Sequence, residues 1–98
     1  MLDFYRFSSD TWVKFNAAQT EILRRHAPTH LITHNLMIYF FHFDHYEMGK
    51  SLDFVAWDNY HHFGAQPVTI AANHDLIWGA KEKNFWVIEQ QVGQVNWT

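Results

Sequence analysis

The carboxylate of Glu89 is the side chain of this sequence best suited to chemistry. It ends the apolar run FWVI and is followed at once by the polar segment QQVGQVNW. In parallel α/β folds, functional groups gather where a strand ends and the next loop begins. Strand alternation places Phe85 and Val87 on the same face as Glu89. In a closed barrel that face would look inward at the mouth, with Trp86 against the helix layer. The alternative is a surface glutamate that only marks the end of a strand.

Polar and aromatic side chains also end two earlier apolar runs. The run LITHN closes with Asn35, and the run DFVA is followed by Trp57, Asp58, Asn59 and Tyr60. This combination suits sugar binding, because aromatic faces stack on sugar rings while amides and carboxylates bond to hydroxyl groups. The alternative for the second of these runs is that Asp58 and Asn59 only cap the loop that follows it.

Eight histidines raise the alternative of a metal site. His26, His30 and His34 are spaced by four residues, but Pro28 interrupts any helix that could place them on one face. Neither a cysteine nor an HExxH-type motif supports zinc binding. We therefore expect no metal and no cofactor, and we expect most histidines to lie at the surface or behind other site residues.

Three helices and three strands are predicted to alternate in the order α-β-α-β-α-β. Helical spacing predicts the first helix from about residue 10 to residue 26, with Ser8, Ser9 and Asp10 as capping candidates. Units of this length favour parallel strands covered by helices, as in α/β barrels or doubly wound sheets. The segment MIYFFHF is ambiguous between strand and loop. The strands are predicted over 31–35, 54–57 and 85–89, and the other helices over 44–50 and 68–78.

Such a sheet has two open edges and makes a poor domain by itself. Parallel sheets are normally covered on both faces or closed, and exposed edges invite pairing with another chain. We therefore expect either self-association or docking onto the remainder of a barrel.

The composition predicts a buried core and argues against several partners. The 98 residues are 48% apolar and 18% aromatic, which indicates one domain or less rather than a disordered chain. A net charge of -3 without a basic stretch argues against nucleic acid and anionic membrane surfaces. No run approaches the roughly 20 apolar residues of a membrane helix, and the start MLDFYRFSSD lacks the signal-peptide pattern. The absence of cysteine suits a reducing compartment, so we expect a cytoplasmic location.

The sequence around Glu89 resembles a known family. The run FWVIEQQ, continued by VNW, is similar to the nucleophile segment of the glycoside hydrolase family 42 β-galactosidases. DFYRFSSD, THN, LDF, WDNY and HDL match further landmarks in the same order, so the resemblance covers essentially all 98 residues. It implies that residues 1–98 are a segment of a catalytic (β/α)8 TIM barrel, about strands five to seven with the intervening helices.

The resemblance also implies roles for individual residues and a β-galactoside substrate. Glu89 would be the catalytic nucleophile, Tyr60 and Trp97 would line the sugar subsite, and Asn35 and Asp58 would lie at the edge of the pocket. A retaining mechanism needs a second carboxyl about 5–5.5 Å away. The family's acid/base glutamate follows an asparagine, and this chain has no Asn-Glu pair. The chain alone is therefore expected to be inactive.

The chain departs from the family pattern in the loop after Tyr60, where HHF stands in place of the usual proline and the loop is shorter than usual. A competing interpretation is a non-catalytic carbohydrate-binding or assembly module. In that interpretation Trp57, Tyr60 and Trp97 stack on a saccharide, and Glu89 only bonds to hydroxyl groups.

Overall fold

The computed structural model describes residues 1–61 and 64–90 of the chain, and in this part helices and strands alternate in the predicted order. The strands pair parallel in the spatial order β1-β2-β3. The predicted α/β class with parallel strands is therefore confirmed. The elements are α1 (Leu2–His26), β1 (Asn35–Leu36), α2 (His45–Gly49), β2 (Ala56–Asn59), α3 (Pro67–Gly79) and β3 (Trp86–Gln90).

The core lies between one face of the sheet and the helices. It is built by Leu36, Val55 and Trp57 from the strand segments, Met48 from α2 and Ile77 from α3. Each of these side chains is at most 3% exposed. Burial of apolar surface on this face holds α2 and α3 against the strands, and it leaves the opposite face of the sheet free for polar groups.

The helix α1 begins at Leu2 rather than near residue 10, so the predicted start is wrong. The capping candidates have other partners: Ser8 donates to the loop before α2, and Ser9 accepts a 2.8 Å bond from the backbone N–H of Asp44. These hydroxyls connect α1 to the start of α2. Residues 2–9 contain neither glycine nor proline, so nothing in them stops the helix. The helix ends at His26, as predicted.

The strand β1 is shorter and later than predicted, covering only Asn35–Leu36. The preceding segment lies beside the chain that leads into β2, but side chains supply part of the bonding. The backbone N–H of Ile32 donates to the Asp53 carboxylate at 2.8 Å, and the Thr33 hydroxyl donates to the Phe54 carbonyl at 2.8 Å. These bonds replace the regular ladder that the apolar pattern predicted.

The other two strands are also displaced toward the carboxyl end of the predicted segments. The strand β2 covers Ala56–Asn59, so Asp58 and Asn59 are strand residues, and the alternative that they cap a loop is wrong. The strand β3 covers Trp86–Gln90, so Glu89 lies within the hydrogen-bonded ladder.

A register shift in β3 decides which way Glu89 points. Trp57 pairs with Val87, and the next residue of β2, Asp58, pairs with Glu89. Ile88 is therefore an extra residue, a β-bulge. Strict alternation would keep Glu89 on the face of Val87, whereas the extra residue moves it to the face of Asp58.

The aromatic side chains at the start of β3 show the same reversal. Trp86 pairs with Ala56, its ring lies 4.7 Å from the ring of Phe54, and it is 60% exposed. Phe85 instead packs against the core and stacks on His74 of α3 at 5.4 Å. The predictions that Trp86 packs against the helix layer and that Phe85 shares the face of the glutamate are therefore wrong.

Candidate active site

Both carboxylate oxygens of Glu89 accept hydrogen bonds from neighbouring strand segments. Oε1 accepts a 3.0 Å bond from Nδ2 of Asn35, and Oε2 accepts a 2.7 Å bond from the hydroxyl of Tyr60. Asn35 opens β1 and Tyr60 follows β2, so three adjacent strands contribute to one group. Hydrogen bonds to a carboxylate are among the stronger ones, and together they restrain its orientation. The Glu89 side chain is nevertheless exposed, so a ligand can reach it.

Asp58 is the second carboxylate of the group. It is the register partner of Glu89, and its Oδ1 accepts a 3.0 Å bond from the same Nδ2 of Asn35. Burial raises the pKa of the Asp58 carboxyl above its ordinary value, and the negative charge of Glu89 raises it further. The Asn35 bond and the charge of His34 oppose this shift.

The phenol of Tyr60 is kept in its protonated form. Its hydrogen bond to Glu89 raises the pKa of Tyr60 above its ordinary 10.0, and burial and the charges of Glu89 and Asp58 act in the same direction. At neutral pH the hydroxyl is therefore a reliable donor to the carboxylate.

Two further contacts support the group and were not anticipated from the sequence. Nδ2 of the buried Asn59 donates to Oε1 of Gln90 at 3.0 Å, joining β2 to β3 beside the carboxylates. Nδ1 of His34 lies 2.8 Å from the Asn35 carbonyl, and since a carbonyl only accepts, this nitrogen carries the proton. Asn59 was named with the other polar residues after the second apolar run, whereas the only signal for His34 and Gln90 was their position beside predicted site residues.

A cavity of about 550 Å³ lies on the β1 side of the group and reaches Asp58, whereas Glu89 and Tyr60 do not line it. Asn35 and Asp58 form part of its wall, and aromatic side chains of α1 and of the loop after β1, including Trp12, Phe15 and Phe40, form much of the rest. A mostly apolar space that ends at a few polar groups is typical of small-molecule sites.

The structure brings together four of the residues singled out in the sequence: Asn35, Asp58, Tyr60 and Glu89. Trp97 lies outside the described residues. Trp57 is 1% exposed and belongs to the core, so the sugar-stacking part given to it in the binding-module interpretation is wrong.

The described residues also bear on metals and membranes. Within residues 1–61 and 64–90, no three His, Asp or Glu side chains come together as a set of metal ligands. In that same part of the chain, no helix combines the length and the apolar character needed to cross a bilayer.

The chemistry that the group of side chains around Glu89 offers is that of a fixed carboxylate with two hydrogen-bond donors, able to act as a nucleophile or as a base.

Comparison with known proteins gives the family to which the chain belongs. The family model for the β-galactosidases of glycoside hydrolase family 42 matches residues 1–98. The chain therefore belongs to that family, and the resemblance found in its sequence is confirmed.

Individual relatives show how much of an enzyme the chain represents. It is 40% identical to a β-galactosidase of Thermus thermophilus over 114 residues, which covers 99% of this chain and 18% of that protein. It is 34% identical to the β-galactosidase Bga of Halorubrum lacusprofundi over 113 residues, covering 99% of this chain and 16% of the relative. The crystal structure of a β-galactosidase from Bacillus circulans superimposes with a TM-score of 0.91 at 33% identity, over 98% of this chain and 14% of that one. The chain thus spans less than a fifth of each of these relatives.

Proposed function

We propose that this chain is the part of a retaining β-galactosidase barrel that carries the nucleophile, Glu89, and that it corresponds to about strands five to seven. The observation that carries this proposal is the pair of hydrogen bonds on Glu89, one to each oxygen, from neighbouring strand segments. A surface glutamate that merely ends a strand needs no such partners. Membership of the β-galactosidase family supports the same reaction.

In the proposed reaction, Glu89 attacks the anomeric carbon of a terminal β-D-galactosyl residue. A bond forms between a Glu89 oxygen and that carbon while the glycosidic carbon–oxygen bond breaks. The leaving oxygen takes a proton from an acid/base carboxyl. The same carboxyl then deprotonates a water molecule, which attacks the anomeric carbon and releases Glu89, so the configuration is retained.

The contacts around Glu89 suit this role because they limit its motion before a substrate arrives. Restrained orientation of a reacting group can supply a large part of a rate enhancement. In our proposal Tyr60 borders the sugar subsite beside the nucleophile, and Trp97 stacks on or flanks the galactose. The resemblance to the family implies that Asn35 and Asp58 contact the edge of the sugar.

The acid/base carboxyl is proposed to come from outside this chain. Retaining glycosidases hold their two carboxyls about 5–5.5 Å apart. Asp58 is the register partner of Glu89 and shares the amide of Asn35 with it, so it lies in the same group as the proposed nucleophile rather than across a substrate from it. Glu21 pairs with Arg25 of the same helix at 4.0 Å, and Glu47 pairs with Lys50 at the end of α2 at 2.6 Å. We therefore expect the 98-residue chain alone to hydrolyse no galactoside efficiently.

We further propose that the remainder of a barrel covers the open edges of β1 and β3, in a cytoplasmic enzyme. Without that remainder, self-association of the chain through these edges is still our prediction. Light scattering on the purified chain measures it, and a monomer mass with cooperative unfolding would contradict it.

We test the reaction in a grafted enzyme, defined as the Bacillus circulans β-galactosidase with its matching segment replaced by residues 1–98. Glu89→Ala should abolish hydrolysis, and added azide should restore turnover and yield the α-galactosyl azide, because azide attacks from the face that the carboxylate vacates. NMR of the first-formed sugar from the parent graft should show retention. Glu21→Ala, an exposed glutamate on α1, is the matched control and should leave hydrolysis unchanged. Full activity of Glu89→Ala, or an inverted product from the parent, would refute the proposal.

A further inference from the structure

The amide of Asn35 is shared between two carboxylates. Its Nδ2 lies 3.0 Å from Oδ1 of Asp58 and 3.0 Å from Oε1 of Glu89. An amide nitrogen has two hydrogens, so each carboxylate receives one. Since ionised carboxylates only accept, the nitrogen and not the amide oxygen must face them. The chemistry of the neighbours thereby fixes the orientation of the amide.

The two carboxylates need such a donor because the sheet places them side by side. The bulge at Ile88 makes Asp58 and Glu89 register partners on one face. Adjacent like charges repel, and the charge of Glu89 is one cause of the raised Asp58 pKa. A donor between them offsets that repulsion. The other titratable groups that act on the pair are His34 beside β1 and Tyr60 after β2.

We infer that Asn35 and Asp58 are positioning residues that hold Oε1 of Glu89, rather than galactose-binding residues. Both N–H groups of Asn35 are used by carboxylates, so neither is left for a sugar hydroxyl. Asp58 keeps the amide turned with its nitrogen toward Glu89. This inference rests on Glu89 being the nucleophile, as proposed above.

Kinetics of the grafted enzyme separate positioning from sugar binding. Asn35→Leu and Asp58→Ala should each lower kcat by about 10- to 100-fold with little change in KM. Displacing a reacting group by about 1 Å can lower the rate of the chemical step by that factor. The double variant should lose no more than the worse single variant, because both act on one oxygen of Glu89. Asp58→Asn keeps an acceptor for the amide and should restore most of the turnover. A sugar-binding role predicts a raised KM instead, and that result would overturn the inference.

The control for a general loss of stability is Asn73→Leu in α3, whose amide is buried whereas that of Asn35 is exposed. Nδ2 of Asn73 donates to the Tyr39 hydroxyl at 3.0 Å, at a distance from the carboxylates. This variant should lower thermal stability and leave kcat unchanged. An equal loss of kcat in Asn73→Leu and Asn35→Leu would assign the Asn35 effect to general destabilisation and overturn the inference.

A second measurement does not depend on activity. In the grafted enzyme, the side-chain amide signals of Asn35 in a nitrogen–proton NMR spectrum should move when either acceptor is changed, in Asp58→Asn and in Glu89→Gln, because each carboxylate accepts one of the two N–H groups. An amide signal that responds to neither carboxylate would overturn the inference.

Trapping by a 2-fluoro-galactoside distinguishes failure of this inference from failure of the proposed function. Absence of label on Glu89 in the parent graft would defeat the proposed function. Labelling of Glu89 at the parent's rate in both Asn35→Leu and Asp58→Ala would defeat only the positioning inference.

Discussion

The hydroxyl of Tyr60 lies 2.7 Å from Oε2 of Glu89. This contact joins the residue that follows β2 to the glutamate of β3, and it is shorter than the 3.0 Å bonds that Asn35 makes in the same group. Tyr60 therefore holds the carboxylate oxygen opposite the one held by Asn35, and the orientation of the proposed nucleophile depends on both.

Replacement of Tyr60 by Phe should lower kcat of the grafted enzyme by about 10- to 100-fold. A hydrogen bond to a charged group contributes about 1.5–3 kcal/mol, and each 1.4 kcal/mol or so is a factor of about ten in rate. Steady-state kinetics on an aryl β-galactoside measure the effect. Tyr46→Phe, at a half-exposed position of α2, is the matched control and should leave kcat unchanged. A Tyr60→Phe turnover equal to the parent's would show that this bond does not contribute to catalysis.

Asp53 should stabilise the fold as long as it is ionised. The backbone N–H of Ile32 and the guanidinium of Arg24 hold the pKa of Asp53 below its ordinary 3.8. Because the folded-state pKa is depressed, this stabilisation is present above pH 3.8 and is lost as the pH falls through the folded-state value. Asp53→Asn should therefore lower the melting temperature at neutral pH and flatten its decline in acid, as measured by circular dichroism. A variant with the parent's acid profile would contradict this.

Replacement of Asp58 by Asn should raise the stability at neutral pH, whereas replacement of Asp53 by Asn should lower it. Burial and the charge of Glu89 raise the folded-state pKa of Asp58, so its contribution to stability is greatest below pH 3.8 and is lost as the pH rises through the folded-state value. Asp58→Asn should raise the melting temperature at neutral pH. The gain in the free energy of unfolding should be less than about 1 kcal/mol, because the group is partly exposed. The difference from the parent should vanish in acid. A lower melting temperature at neutral pH would indicate that the charge of Asp58 is stabilising.

Trp57 should act on stability and not on sugar affinity. It is 1% exposed in the core, so Trp57→Ala should cost about 3–5 kcal/mol of unfolding free energy. Denaturant unfolding measures this cost. The milder Trp57→Phe should leave the inhibition constant of galactose in the grafted enzyme unchanged. A large rise in the inhibition constant would show that Trp57 contributes to sugar binding.

The sequence predicted the order of elements and the side chains that meet at the site, because both follow from local patterns. Apolar runs define the strands, and Asn35, Asp58 and Glu89 lie near their carboxyl ends, which parallel pairing brings to one edge. The resemblance to the β-galactosidases supplied the roles proposed for Glu89 and Tyr60, which no spacing rule could give.

The parts that were predicted wrongly depend on contacts between distant segments. Alternation along β3 cannot reveal the bulge at Ile88, since a bulge is defined by pairing with β2. The shortened β1 follows from the Asp53 carboxylate, which takes the N–H of Ile32 that a ladder would otherwise use. The early start of α1 follows from the engagement of Ser9 with the start of α2 rather than with its own helix.

The covalent step is tested most directly by trapping the glycosyl-enzyme. The grafted enzyme is treated with an activated 2-deoxy-2-fluoro-β-galactoside, whose intermediate is hydrolysed slowly, and its peptides are mapped by mass spectrometry. We expect one fluorogalactosyl group per active site, attached to Glu89. A label on any other residue, or no label on a graft that still hydrolyses galactosides, would contradict the assignment of Glu89 as the nucleophile.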